Sequence, residues 1–62
     1  MISLRCRRHG EYTYIYFSGE EDVPLMLLLG GRMLSLEWEV DRRDDEAGDW
    51  IPLDEWEEEQ NV

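Results

Sequence analysis

The sequence predicts a small α+β domain, in which an antiparallel sheet of three to four strands packs against one short helix. Three observations support this fold class. Polar and apolar residues alternate over 2–7, aromatic and β-branched residues dominate 11–17, and a continuous apolar run at 23–29 ends in two glycines. Period-two alternation is typical of half-buried strands, whereas leucine and methionine favour helices. We expect 1–62 to form a single acidic domain with a frayed tail at 60–62.

The first two segments predict an N-terminal hairpin. The strand over 2–7 would bury one face, and His9-Gly10 is the expected turn. The second strand, 11–17, carries three tyrosines on one face, and such side chains pack well across strands. A tyrosine stripe could stack nucleic-acid bases. Because the chain has a net charge of −10, it repels phosphate, and we interpret the tyrosines as packing or protein-contact residues.

The apolar run Val23 to Leu29 can form either a short helix or a buried strand. A helix is favoured because Asp22 can cap it, Pro24 fits its first turn, and Gly30 suits the left-handed position after its end. The alternative is a strand that a tight Gly30-Gly31 turn joins to the next strand.

The segment Arg32 to Val40 is predicted to be a strand, because its apolar residues from Leu34 onward fall on one face and its polar residues on the other: Leu34, Leu36, Trp38 and Val40 against Ser35, Glu37 and Glu39. Residues 41–49 are then expected to form a solvated loop. The apolar residues at 50–53 return to the core, and Pro52 limits this piece to an edge strand or an irregular segment. Asp54 can cap a last helical turn through residue 60.

Composition limits the possible functions. The chain has sixteen acidic residues, six arginines and one cysteine, so no internal disulfide is available and a reducing compartment, the cytoplasm, is expected. The longest apolar run is far shorter than the roughly 20 residues that span a bilayer, so no membrane role is expected. We expect a monomer or a weak dimer, because an edge strand can pair with a second copy.

The acidic residues are the main candidates for function. From Asp44 to the C-terminus there are nine acidic residues in nineteen and no basic residue. On a strand, Glu37, Glu39 and Asp41 would form a row spaced about 6.6 Å apart, close to the about 6 to 7 Å between phosphates of one nucleic-acid strand. The simpler interpretation is an acidic face that only keeps the protein soluble. The predicted partner-binding residues are Glu37, Glu39, Asp41, Asp44, Asp45, Glu46, Asp49, Glu55, Trp56, Glu58 and Glu59.

No catalytic, cofactor or metal site is predicted. Cys6 and His9 would lie on opposite faces of a strand, and so short a chain can hardly enclose a desolvated carboxylate. A calcium loop beginning at Asp44 places Gly48 at the fifth position instead of the sixth, and its ligand order fails although Glu55 falls at the twelfth.

A small, lysine-free, strongly acidic chain with tryptophan and tyrosine among its carboxylates resembles phage-encoded anti-CRISPR proteins and related DNA-mimic inhibitors. The resemblance lies in general character, above all over 37–59, and in no alignable motif. It implies that the protein binds a basic nucleic-acid-binding protein, such as a type I CRISPR effector complex in a bacterial host cell, and does not bind nucleic acid directly. The alternatives are an antitoxin-like or regulatory protein-interaction module without DNA mimicry, and a small structural domain.

Overall fold

The computed structural model describes residues 1–45 and 47–60. It confirms the α+β class: a four-stranded antiparallel sheet, in the order β2-β1-β3-β4, is combined with two α-helices. The elements are β1 (Ile2–Arg8), β2 (Glu11–Phe17), a 3₁₀ turn (Glu20–Asp22), α1 (Val23–Ser35), β3 (Glu39–Arg43), β4 (Ile51–Pro52) and α2 (Leu53–Gln60). The expected tail at 60–62 lies largely outside the described residues, and Gln60 is the last residue of α2.

The predicted N-terminal hairpin is confirmed. Strands β1 and β2 pair without interruption from Ile2 opposite Phe17 to Arg8 opposite Glu11. The two residues between them, His9 and Gly10, both have positive φ angles of 49° and 80°. Two positive φ angles are the signature of the type I′ turn, whose twist matches that of the strands it joins.

Helix α1 confirms the helical alternative for 23–29 and extends beyond it. Gly30 was expected to end this helix, but the helix continues to Ser35. Gly30 instead lies in the buried interface with Leu53, where a Cβ atom would overlap Leu53 Cδ2 and would lie 3.6 Å from Leu4 Cδ1. The glycine therefore permits a close approach to the start of α2.

A Schellman motif ends α1. The amide of Glu37 donates to the carbonyl of Leu34 at 3.0 Å, and the amide of Trp38 donates to the carbonyl of Met33 at 3.0 Å. Glu37, with φ of 67°, occupies the left-handed position where glycine is usual. The prediction of a strand over Arg32 to Val40 is therefore wrong for most of its length, because β3 begins only at Glu39.

The two faces of the sheet differ. One carries the core, whose fully buried side chains are Leu4, Cys6, Met26 and Leu53, and the described helices pack on this face. We call the other the open sheet face. It carries Tyr12, Tyr14 and Tyr16 of β2 beside Arg7, Arg5 and the buried Ser3 of β1.

The two edges of the sheet differ as well. Strand β4 has only two residues, one of them Pro52, and leads directly into α2. Strand β2 has seven residues and no neighbour on its outer side within the described chain. In these described residues, no helix is both long and apolar enough to cross a bilayer.

Candidate functional site

Asp41 is withdrawn from the protein surface. It lies opposite Arg5 across β1 and β3, and its side chain is only 6% exposed. Its Oδ2 atom accepts hydrogen bonds from Arg5 Nη2 at 3.0 Å and from Arg7 Nε at 2.9 Å. Because both guanidiniums neutralise it, this carboxylate is not free to contact a partner.

The predicted row of Glu37, Glu39 and Asp41 does not form. Glu37 belongs to the end of α1 and not to a strand, so its side chain does not follow the pleat of β3. Glu39 is exposed and forms an ion pair with Arg7 at 3.4 Å. The prediction of a row on one strand is wrong. Helix α1 continues to Ser35, through part of the segment that was predicted to be a strand, and β3 begins only at Glu39.

Two carboxylates of the loop between β3 and β4 interact with groups of the protein itself. Asp44 forms an ion pair with Arg42. Asp45 accepts hydrogen bonds from the amides of Ala47 and Gly48 at 2.7 and 2.8 Å, which fixes the turn. Asp49 is exposed. Glu46 was also predicted to bind a partner, and it lies outside the described residues.

Among the described residues, the largest group of carboxylates without an arginine partner lies on α2. We call Asp54, Glu55, Glu58 and Glu59 the α2 acidic face. All four are exposed, whereas Leu53 on the other side of the helix is fully buried. With 100° per residue, the four side chains fall within an arc of about 140°. Within the described residues, none of them forms an ion pair with an arginine.

The spacing on α2 resembles that of phosphates. Asp54 and Glu58 form one row and Glu55 and Glu59 a second, and residues four apart are separated by about 6 Å along the helix axis. This matches the separation that was expected on a strand. Asp54 was assigned as a cap and was missing from the predicted set, although its spacing of four from Glu58 could have identified it.

Trp56 lies on the inner side of α2. It was predicted as a partner contact, but its ring is half-buried against the core. The guanidinium of Arg42 stacks over it at 4.1 Å from the ring centroid. Trp56 also lines an open groove of about 470 Å³ between the two helices, together with Val23 and Leu27. It therefore fixes α2 on the sheet and provides an apolar margin beside the α2 acidic face.

Most arginines are engaged within the molecule. The guanidiniums of Arg5 and Arg43 lie 4.6 and 4.5 Å from the centroid of the Trp50 ring, and Trp50 also contacts the Tyr14 ring, with centroids 6.2 Å apart. Arg8 donates a hydrogen bond to the carbonyl of Leu36 at 3.2 Å. Because the positive charges are held near internal partners, the field outside the protein is dominated by carboxylates.

The described residues provide little for catalysis or metal binding. Burial raises the pKa of the Cys6 thiol, and the negative charge of Asp41 adds to this shift, so the reactive thiolate is disfavoured. His9 lies in the exposed turn, away from this buried thiol. Within 1–45 and 47–60, no three histidine, cysteine or acidic side chains are placed to hold a metal ion.

Comparisons with known proteins give no relative. No family model matches the chain, and neither a curated protein nor a solved structure matches it.

Proposed function

We infer that this protein is an acidic inhibitor that binds a basic nucleic-acid-binding groove by DNA mimicry, with the α2 acidic face as its main contact. The observation that carries this inference is the pair of carboxylate rows on α2, which face solvent and have no arginine partner among the described residues. Binding would release counterions from both surfaces, so it should be fast and sensitive to salt.

The energetics of the helix support this function. Like charges four residues apart destabilise a helix by about 0.2 to 0.5 kcal/mol per pair. Glu58 and Glu59 also lie in the last turn, where the helix dipole favours positive charge, and that turn contains no basic residue. A cationic partner would reduce both the repulsion between these carboxylates and their unfavourable interaction with the helix dipole. This gain on binding would contribute to the affinity of the complex.

Other predicted residues can extend this contact. Glu39 and Asp54 line one surface depression, next to the start of α2. Asp44 and Gln60 line another, at its end. Carboxylates from β3 and the following loop therefore lie near both ends of the helix, and Asp49 adds an exposed charge in that loop.

The resemblance to anti-CRISPR proteins suggests the partner. It would be a DNA-binding effector, such as a type I CRISPR complex in the cytoplasm of a bacterial host, whose target DNA is excluded while the inhibitor is bound. The decisive experiment is capture of partners from bacterial lysate at increasing salt, with and without nuclease. We expect a nucleic-acid-binding protein that is retained after nuclease treatment, released by salt and displaced by duplex DNA.

A matched pair of variants distinguishes the effect of the α2 acidic face on binding from the effect of net charge. Glu55→Gln with Glu59→Gln should weaken capture about tenfold, equivalent to about 1.4 kcal/mol. Glu11→Gln with Glu21→Gln removes the same charge from exposed positions elsewhere and should change it less than about twofold. Equal losses in both variants, or retention that ignores salt, would contradict mimicry by α2.

A second function is favoured by the open sheet face. Tyrosine, tryptophan and arginine are enriched at protein interfaces, and here Tyr14, Trp50, Arg5 and Arg43 form one cluster. An antitoxin-like or regulatory module without DNA mimicry would use this cluster. Its binding would depend weakly on salt, and Trp50→Ala would abolish it while the α2 double variant would leave it intact.

A further inference from the structure

Strand β2 offers an unprotected edge for pairing. It has seven residues, it pairs with β1 without a bulge, and it contains neither proline nor a basic residue. Its one charged residue, Glu11, lies at its end. Proteins normally protect exposed edges with short strands, prolines, lysines or bulges. Strand β4 follows that rule with two residues and Pro52, so the difference lies between two edges of the same sheet.

The hairpin geometry identifies which backbone groups are free. A two-residue turn closes on a hydrogen-bonded pair, here Arg8 and Glu11, and hydrogen-bonded and non-hydrogen-bonded pairs alternate from there. Tyr12, Tyr14 and Tyr16 therefore fall at the non-hydrogen-bonded pairs. Their amide and carbonyl groups point away from β1, toward the outer edge. Their side chains are exposed by 59%, 49% and 64%.

We propose that β2 pairs antiparallel with β2 of a second copy, with the two-fold axis at Tyr14. In this register Tyr12 of each copy lies opposite Tyr16 of the other, and each of the three tyrosine pairs exchanges two backbone hydrogen bonds. Thr13 lies opposite Ile15 on the other face, which pairs two β-branched side chains. The strand is thus complementary to itself, as a two-fold interface requires.

The self-complementary register favours a second copy as the occupant, and the distribution of charge permits it. Residues 1–17 contain three arginines against Glu11 alone, so the hairpin carries a charge of about +2, whereas the other 45 residues sum to about −12. The sheet order places β2 at the end opposite to β4 and α2. Two copies joined at β2 therefore keep their acidic helices at the far ends of an eight-stranded sheet. This pairing does not depend on the function proposed above.

Sedimentation velocity over a concentration series tests the pairing. One added strand is a smaller contact than the standard interface of about 1,600 Å², so we expect the mass to rise from 7.5 kDa toward twice that value only as concentration increases. Salt should strengthen this association, because it screens the repulsion between two acidic chains. Salt should weaken capture of a basic partner, which is the opposite effect. A failure of the dimer proposal can therefore be distinguished from a failure of the proposed function.

Hydrogen exchange tests the register. The amide of Thr13 bonds within the hairpin and should be protected at every concentration, whereas the amide of Tyr14 should become protected only where the dimer forms. Tyr14→Pro removes this amide at a position that β1 does not use, and should keep the protein monomeric. If that variant does not fold by circular dichroism, Thr13→Lys replaces it and should weaken dimerisation about tenfold.

Ser18→Lys, beyond the end of β2, is the control for the added charge and should leave dimerisation unchanged. A wild-type protein that stays monomeric at millimolar concentration overturns the proposal. So does a dimer in which the Tyr14 amide exchanges freely, because its contact must then lie elsewhere on the molecule.

Discussion

Arg5 and Asp41 face each other across the centre of the sheet, where the Arg5 guanidinium donates to the Asp41 carboxylate at 3.0 Å. Arg7 Nε donates to the same carboxylate at 2.9 Å. We predict that Asp41→Asn lowers the free energy of unfolding by about 2 kcal/mol, because it leaves two guanidiniums without their shared charge. Urea denaturation measures this loss. Asp49→Asn, at an exposed position, should stay within about 0.5 kcal/mol, and equal effects would contradict a structural role for Asp41.

The two neighbouring glycines of α1 should respond in opposite directions to alanine. Gly31→Ala should raise the free energy of unfolding by about 0.5 to 1 kcal/mol, since nothing lies within 4 Å of the added methyl group. Gly30→Ala should lower it by about 1 kcal/mol despite the same gain in helix propensity, because the methyl group overlaps Leu53 in a packed core. Thermal denaturation of the pair gives the comparison. A stabilised Gly30→Ala variant would contradict this prediction and would show that the Leu53 side chain repacks around the methyl group at little cost.

Glu37 occupies a backbone conformation that suits glycine. We predict that Glu37→Gly stabilises the protein by about 1 kcal/mol, because φ of 67° is costly for a residue with a Cβ atom. Glu37→Ala removes the same carboxylate, retains the Cβ atom and should be nearly neutral. Chemical denaturation distinguishes the two effects, and an equal gain in both variants would point to charge instead of backbone strain.

Glu58 and Glu59, the part of the α2 acidic face in the last turn of the helix, should oppose folding and favour binding. Glu58→Gln with Glu59→Gln should raise the free energy of unfolding by about 0.5 kcal/mol at low salt, since it removes repulsion and unfavourable charges at the helix end. The gain should fade as salt is added. Stability measured at two salt concentrations checks this. A variant that loses stability at low salt would mean that these carboxylates form attractive contacts.

The sequence predicted the hairpin correctly, because alternation over 2–7 and a His9-Gly10 turn agree with each other locally. It failed between Arg32 and Trp38, where the alternation that begins at Leu34 suggested a strand. The glycine pair suggested a helix end, but α1 continues through both glycines, and Gly30 packs against Leu53. That contact links residues far apart in the chain, so no local pattern could reveal it.

The sequence indicated where acidic residues are concentrated, but not which carboxylates would be exposed and how they would be arranged. The density of carboxylates after Asp44 indicated where charge accumulates, and much of it does lie on α2. The cross-strand register that buries Asp41 between two arginines depends on the pairing of β1 with β3. Because a strand can pair at several registers, single-sequence reasoning could not decide which carboxylates would be neutralised.

The short, proline-bearing strand β4 determines how large an assembly of this sheet can become. Each copy offers one edge that can accept another strand, while the opposite edge ends in Pro52 and the helix that follows it. Growth by strand addition therefore stops once two copies have joined. Strand β4, which consists of Ile51 and Pro52, thus protects a sheet with a tyrosine-rich edge at β2 from continuous fibril formation.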